Sequence, residues 1–437
     1  MNPPDSSYRE IREQPLSPLD KGMPAGMAPT PLDQAGAQGW NILREDLPLP
    51  LALLKQSALK HNSAWMQRFL QDSDTRISPH GKTTMSPQLF DLQLADGAWA
   101  ITVSSPHHIQ VARAFGYRRL VLANQLLGPK SIEFVLRELQ RDPDFDFYCL
   151  VDSVEIVAIL ARVASRLSIG RPLKVLLEGG YPGGRTGCRD LGQAVAVARA
   201  VKAAEPGLAL AGIEGFEGLI HEATPDQSVR KVNAFLDYLV DIAQACQRES
   251  LYGTDTVIVS AGGSIYYDLV CGKLQALDLG RPLLKLVRSG CYLTHDSSLY
   301  RVTDAALRQR NPELDARGPG LRPAIEVWAY VQSRPEPGTL IVAMGKRDVT
   351  PEPLPVALHW YRPDGSMAAP AAIPAKHVVT RLNDQHAILS VPGDTPLAVG
   401  DMMAFGIGHP CLTFDKWRVM TVVNDRYDVV SAIRTYF

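Results

Sequence analysis

Four short stretches concentrate side chains able to do chemistry. In SPHGKTT, His80 and Lys82 flank Gly81. An amine walled in by a folded barrel is partly desolvated and becomes a candidate nucleophile or base, whereas on an open surface it is only a solvated cation. In SAGGSIYYD, Gly262, Gly263 and Ser264 offer backbone N–H groups where a helical run begins. That is anion-binding composition and suits a phosphate-bearing cofactor, a plain Gly-Gly turn being the alternative. In EGGYPGGRTGC, a glycine-rich loop carries Arg185. Beside a pyridine-type cofactor a guanidinium can hydrogen-bond the ring nitrogen and keep it unprotonated; without one, Arg185 is a surface arginine. In GIGHPCLTFDKW, His409 and Cys411 stand two residues apart, so an extended segment turns both to one face. A soft thiolate with an imidazole suits zinc and leaves positions open for substrate; the alternative is a buried thiol beside a turn histidine.

These stretches need elements to position them. From about residue 50 to 300, apolar β-branched runs alternate with segments of helical period. The runs are RISPHG (76–81), WAITVS (99–104), RLVLAN (119–124), DFYCLV (146–151), LKVLLEG (173–179), LALAGIEG (208–215), TVIVSAG (256–262) and LLKLVRSG (283–290). Eight alternations predict an α/β fold, a (β/α)8 barrel, since a closed barrel of about 250 residues fits better than an open doubly wound sheet. Asp190 is the expected N-cap of the helix DLGQAVAVARAVKAA. Chemistry in such a barrel gathers at the C-terminal strand ends, where Lys82, Arg185 and the Gly262–Ser264 stretch fall. After about residue 320, alternating runs such as AIEVWAYVQ and WRVMTVVN between Pro, Gly and Asp turns predict an additional antiparallel β domain. The expected division is an arm over 1–45, a barrel over 46–305, and a β domain over 306–437 that holds His409 and Cys411.

Composition narrows the partners. Across 437 residues, 45 Lys and Arg oppose 46 Asp and Glu, so the net charge of -1 supplies no field toward nucleic acid or an acidic membrane surface. A small ligand is expected. The six cysteines, at 149, 188, 246, 271, 291 and 411, show neither scaffold density nor CxxC pairing, which fits reduced thiols in a cytoplasm. No leader pattern opens the chain and no apolar run reaches the roughly 18 residues of a membrane span, so a soluble, cytoplasmic protein is expected.

The segment SPHGKTTMSPQLFDLQLADGAWAITVS resembles the surroundings of the Schiff-base lysine in fold-type III pyridoxal-phosphate enzymes of the D-serine dehydratase and D-threonine aldolase family, whose barrel is alanine racemase-like. The likeness continues through RTGC, GIEGFEG, SAGGS, RSGCYLTHD and GHPC, over roughly residues 45–437. The resemblance implies Lys82 as the catalytic, cofactor-bearing lysine, with His80, Arg185, Gly262, Gly263, Ser264 and Tyr292 contacting pyridoxal 5'-phosphate. It implies His409 and Cys411 as ligands of zinc or another divalent metal, and a homodimer. Aldolases of the family tend to carry His-x-Asp where this chain has His-x-Cys, the form that resembles the dehydratases. Thr84 and Met85 replace a usual His and Lys, and Phe216 a usual tyrosine, which leaves the substrate side chain open.

The activity so implied is that of an ammonia lyase: dehydration and deamination of a D-β-hydroxy amino acid such as D-serine, D-threonine or D-threo-3-hydroxyaspartate, giving a 2-oxo acid and ammonia. The alternatives are a D-threonine-type aldolase that yields glycine and an aldehyde, an amino-acid racemase, and a non-catalytic pyridoxal-phosphate carrier.

Overall fold

The computed structural model describes residues 14–167 and 169–437. They divide into two compact units: Gln67–Lys82 with Gln93–Gly290, and the described residues up to Met66 with Thr83–Leu92 and Cys291–Phe437. Strands are numbered along the chain; β1 (Leu51–Lys55) lies in the second unit, and the first is built on the next eight.

These eight are β2 (Arg76–Ile77), β3 (Ile101–Val103), β4 (Arg119–Gln125), β5 (Asp146–Val151), β6 (Leu173–Gly179), β7 (Leu208–Gly215), β8 (Val257–Ala261) and β9 (Leu283–Val287). Each falls within one of the runs read from the sequence, except that β4 extends one residue past its run, to Gln125. All pair in parallel, in the order β2-β9-β8-β7-β6-β5-β4-β3. The two ends of the sheet also meet: Trp99 N–H donates to the Ile77 carbonyl (2.8 Å) and Thr102 N–H to the Pro79 carbonyl (2.9 Å). The expected (β/α)8 barrel is therefore present and closed. Ala100, Val121, Tyr148, Leu150, Leu176, Ala211, Ile258 and Leu286 fill its interior, two from β5 and one from each other strand or its approach except β2. Helix starts are fixed locally. Asp190 caps Leu191–Ala203 by accepting from Gln193 N–H, as expected, and Thr224 with Gln227 forms a capping box for Pro225–Arg248.

The second unit holds a ten-stranded sheet whose main path runs β13-β12-β16-β10-β1-β17-β18. Its members on this path are β1, β10 (Ile325–Glu336), β12 (Val356–Tyr361), β13 (Ala371–Ala372), β16 (Met402–Gly406), β17 (Val419–Val423) and β18 (Val429–Arg434). A side branch carries β11 (Thr339–Val342), β14 (Val378–Leu382) and β15 (Ala387–Ser390). Strand β1 corrects the expected division of the chain. It falls inside 46–305, yet it pairs antiparallel with β10, Leu51 opposite Trp328, and parallel with β17, Leu53 opposite Thr421. With both neighbours in this sheet, its wholly apolar LALL is buried on both faces.

The described part of the arm is core rather than cover. Leu16, Met23, Leu32, Ala35 and Ile42 pack with Leu51, Leu53, Trp328, Met402 and Val419. Buried Arg434 of β18 pairs with Asp20 (3.2 Å) and donates to the Pro15 carbonyl (2.9 Å). Asp20→Ala should leave a buried guanidinium without its counter-charge and destabilise this unit by about 3–5 kcal/mol. Urea unfolding followed by tryptophan fluorescence, which Trp328 and Trp417 make sensitive to this unit, checks it: an unchanged midpoint would refute the pairing, and Asp20→Asn should lose less.

Candidate active site

The loop that carries His80 and Lys82 is anchored on both sides. Ser78 N–H donates to the Val287 carbonyl (2.9 Å), and Thr102 Oγ1 donates to the Ser78 carbonyl while accepting from Ser78 Oγ, both at 2.7 Å. His80 bridges to Thr102 in parallel register, and Lys82 follows in the single 3-10 turn Gly81–Thr83. The Nδ1 atom of His80 is sealed from solvent and has no hydrogen-bond partner in the structure. Burial, then the charges of Lys82, Arg288, His108 and Arg185, hold its imidazole well below the usual range, hence neutral. His108, whose Nδ1 lies 3.1 Å from Ser104 Oγ, is likewise pushed down to about 4 by burial. Basic groups thus converge on one end of the barrel, an electrostatic setting for an anion.

Two polar networks line the other strand ends. Glu178 at the end of β6 accepts from Gln125 (2.6 Å) and Thr186 (2.7 Å), and burial raises its carboxyl. Buried Arg288, just past β9, pairs with Glu214 of β7 and donates to the Gly215 carbonyl (2.8 Å) and Ser260 Oγ (3.2 Å). Desolvation lowers its guanidinium to about 10, still charged at neutral pH. Arg288 ends the run LLKLVRSG, but its partners are remote in sequence and nothing local marked it.

At the glycine cradle, the N–H groups of Gly262 and Gly263 both donate to the buried Glu217 carboxyl, at 2.9 and 2.6 Å, and burial raises that carboxyl. Glycine is required at 262, because a Cβ there would lie 2.5 Å from the Phe216 ring. Arg185 stacks over the other reach of that ring, Cζ 4.8 Å from its centroid. Arg189, overlooked in the sequence, organises the loop by donating to the carbonyls of Gly184, Arg185, Thr186 and Gly187 at 2.6–3.0 Å. Ser264 precedes the helix Tyr267–Gln275. An orphaned imidazole nitrogen and nearby basic groups fit an anionic, hydrogen-bonding cofactor, while the Gly262 and Gly263 donors are occupied by Glu217.

Tyr292, His409 and Cys411 belong to the second unit, where Tyr292 is buried. His409 and Cys411 are brought together, and Cys291 joins them: the three donor atoms all lie within 4.8 Å of one another. The two sulfurs are 4.0 Å apart, and Thr83 Oγ1 lies 3.6 Å from Cys411 Sγ and 3.9 Å from Cys291 Sγ. Cys411 is the acidic member of the thiol pair, held low by the hydrogen bond from Cys291 and by His409, while Cys291 is raised in turn. The donor set is what a divalent thiophilic metal needs. Cys291 had no sequence signal as a ligand, being 120 residues from Cys411.

Known proteins are similar to this chain in sequence and fold. Residues 324–423 match the family model described as "Putative serine dehydratase domain". D-threonine aldolase of Arthrobacter sp is 24% identical over 379 residues, 86% of this chain and 89% of the relative. Among solved structures, D-threonine aldolase from Filomicrobium marinum superposes with a TM-score of 0.72 at 20% identity, covering 91% of this chain and 97% of that one. D-threo-3-hydroxyaspartate dehydratase from Delftia sp. HT23 does so at 0.71 and 20%, covering 91% and 99%. An alanine racemase-like protein from Idiomarina loihiensis follows at 0.66 and 16%, covering 89% and 96%. The fold is that of the fold-type III pyridoxal-phosphate enzymes. The resemblance read from SPHGKTT through GHPC is borne out at this level. No helix among the described residues is long and apolar enough to cross a membrane.

The neutral histidines of the barrel give the protein a pH signature. Below the ordinary imidazole value of 6.5 the unfolded chain takes up protons that folded His80 and His108 refuse, so stability falls with pH from about 6.5 down to about 4. Thermal midpoints measured across that window should decline less steeply in His108→Gln than in the parent; parallel slopes would rule out the depressed histidine.

Proposed function

We propose that the protein is a pyridoxal-phosphate- and metal-dependent lyase that dehydrates and deaminates a D-β-hydroxy amino acid, releasing a 2-oxo acid and ammonia. The observation that carries the reading is the thiol of Cys411 beside His409, where the aldolases of the resembling family tend to carry a carboxylate. When bound, the cofactor supplies an electron sink at Cα and the metal a Lewis acid for the β-oxygen.

The chain's own residues take the remaining parts. Lys82 would hold the cofactor through Nζ and would supply that same atom as the base for the Cα proton. The N–H groups at Gly262, Gly263 and Ser264 receive the phosphate in competition with the Glu217 carboxylate, which now engages the first two. Arg185, Tyr292 and neutral His80 orient the ring, and Phe216 gives it an apolar neighbour without a hydroxyl. His409 and Cys411 hold the metal. The reading carries with it a homodimeric cytoplasmic enzyme with a small-molecule substrate.

A D-threonine-type aldolase is the second reading, and the aldolases from Arthrobacter sp and Filomicrobium marinum favour it. It uses the same residues but cleaves Cα–Cβ.

Product identification separates the two. Incubation with D-serine, D-threonine and D-threo-3-hydroxyaspartate should give oxo acid and ammonia; glycine with an aldehyde would make the protein an aldolase, and no turnover of any would sink both readings. Lys82→Ala should lose the visible cofactor band of the purified protein and reduce turnover by on the order of 10³-fold or more. A retained band would place the covalent link on another lysine.

A further inference from the structure

The second unit contains one arrangement that neither the His-x-Cys spacing nor the proposed reaction requires. Cys291 leaves the turn after β9, where His295 N–H closes back on the Cys291 carbonyl (2.7 Å) and Ala324 N–H ties down Thr294 (2.8 Å). Its thiol is buried. Cys291 faces polar groups: Cys411 Sγ at 4.0 Å, Thr83 Oγ1 at 3.9 Å and the Tyr300 hydroxyl.

The spacing has a geometric meaning. Two thiolates bound to one tetrahedral zinc at about 2.3 Å each stand about 3.8 Å apart. The Cys291 and Cys411 sulfurs, at 4.0 Å, are within a few tenths of an ångström of that edge, and the His409 nitrogen completes a triangle no wider than 4.8 Å. The triangle is also held from behind. Thr350 Oγ1 donates to the His409 carbonyl (2.6 Å), Thr413 Oγ1 donates to it as well (3.1 Å), and Cys411 opens the short helix Cys411–Phe414. Three donors from two distant segments are therefore brought to one point by backbone that is itself anchored.

We propose that Cys291 is a third protein ligand, so that the metal centre is a Cys2His site with one open position, selective for zinc. The inference rests on the reading that His409 and Cys411 hold a metal. Two thiolates and an imidazole favour zinc over the oxygen-seeking magnesium and manganese, and three protein ligands leave a single tetrahedral position for an exchangeable oxygen. Thr83 is then an outer group whose hydroxyl donates to a thiolate.

The test uses the full-length protein and metal alone. X-ray absorption at the zinc edge of the zinc-loaded wild type should count two sulfur neighbours at about 2.3 Å; one sulfur would overturn the proposal. Cobalt(II) substitution should give a tetrahedral visible envelope and a thiolate charge-transfer band that falls to about half in Cys291→Ser. In chelator competition, Cys291→Ser should weaken zinc by more than the roughly 10–100-fold expected of an outer-shell change such as Thr83→Val. Unchanged band and affinity in a folded Cys291→Ser, with metal binding lost in His409→Ala, would refute the third ligand and leave the two-ligand reading standing. Unchanged binding in His409→Ala and Cys411→Ser as well would overturn both.

Discussion

The seam where the barrel closes governs the geometry of its functional end. Strand β2 is only two residues long, yet it must join β9 on one side and β3 on the other. It does so with backbone bonds from Trp99 and Thr102 and with a buried Ser78–Thr102 hydroxyl pair, groups that have no other way to satisfy their hydrogen bonds away from water. A seam this short leaves His80 and Lys82 immediately above it, with the chain already departing from strand geometry. The residues that matter chemically thus inherit their position from the part of the sheet with least strand to spare, and a slip of one residue there would turn His80 and Lys82 to opposite sides.

Charge balance at that end follows from burial. Arg288 lies almost wholly out of water, where an isolated guanidinium would be expensive; the Glu214 carboxylate, the Gly215 carbonyl and the Ser260 hydroxyl compensate it. Glu217 meets the same constraint with two backbone N–H groups.

Local pattern carried the barrel because buried parallel strands are continuous apolar runs, and TVIVSAG or LKVLLEG needs no partner to be recognised. It failed for β1, whose LALLK reads equally well in either sheet; only its pairing with Trp328 and Thr421 decides. The same distinction runs through the site. His80, Lys82, Arg185 and the Gly262–Ser264 stretch announce themselves by neighbours in sequence. Arg288 acquires its role from Glu214, 74 residues away, Gly262 its anion from Glu217, 45 away, and Cys291 its company from Cys411, 120 away. Spacing arguments reach residues on one strand or turn, and these pairs span several.

Phe216 shows how a single replacement redistributes acid–base capacity. Its ring lies against Gly262, which can have no Cβ, and beneath the Arg185 guanidinium, so the position needs an aromatic face. It does not need a hydroxyl for packing. Where the resembling family usually has tyrosine, the missing oxygen removes a proton donor while preserving the stack. Titratable groups at this end of the barrel include Lys82, neutral His80 and His108, Arg185, Arg288 and the carboxyls of Asp152, Glu178, Glu214 and Glu217, of which Glu178 and Glu217 are raised by burial. Because both imidazoles are held neutral, chiefly by burial, His80 and His108 resist taking up a proton at neutral pH.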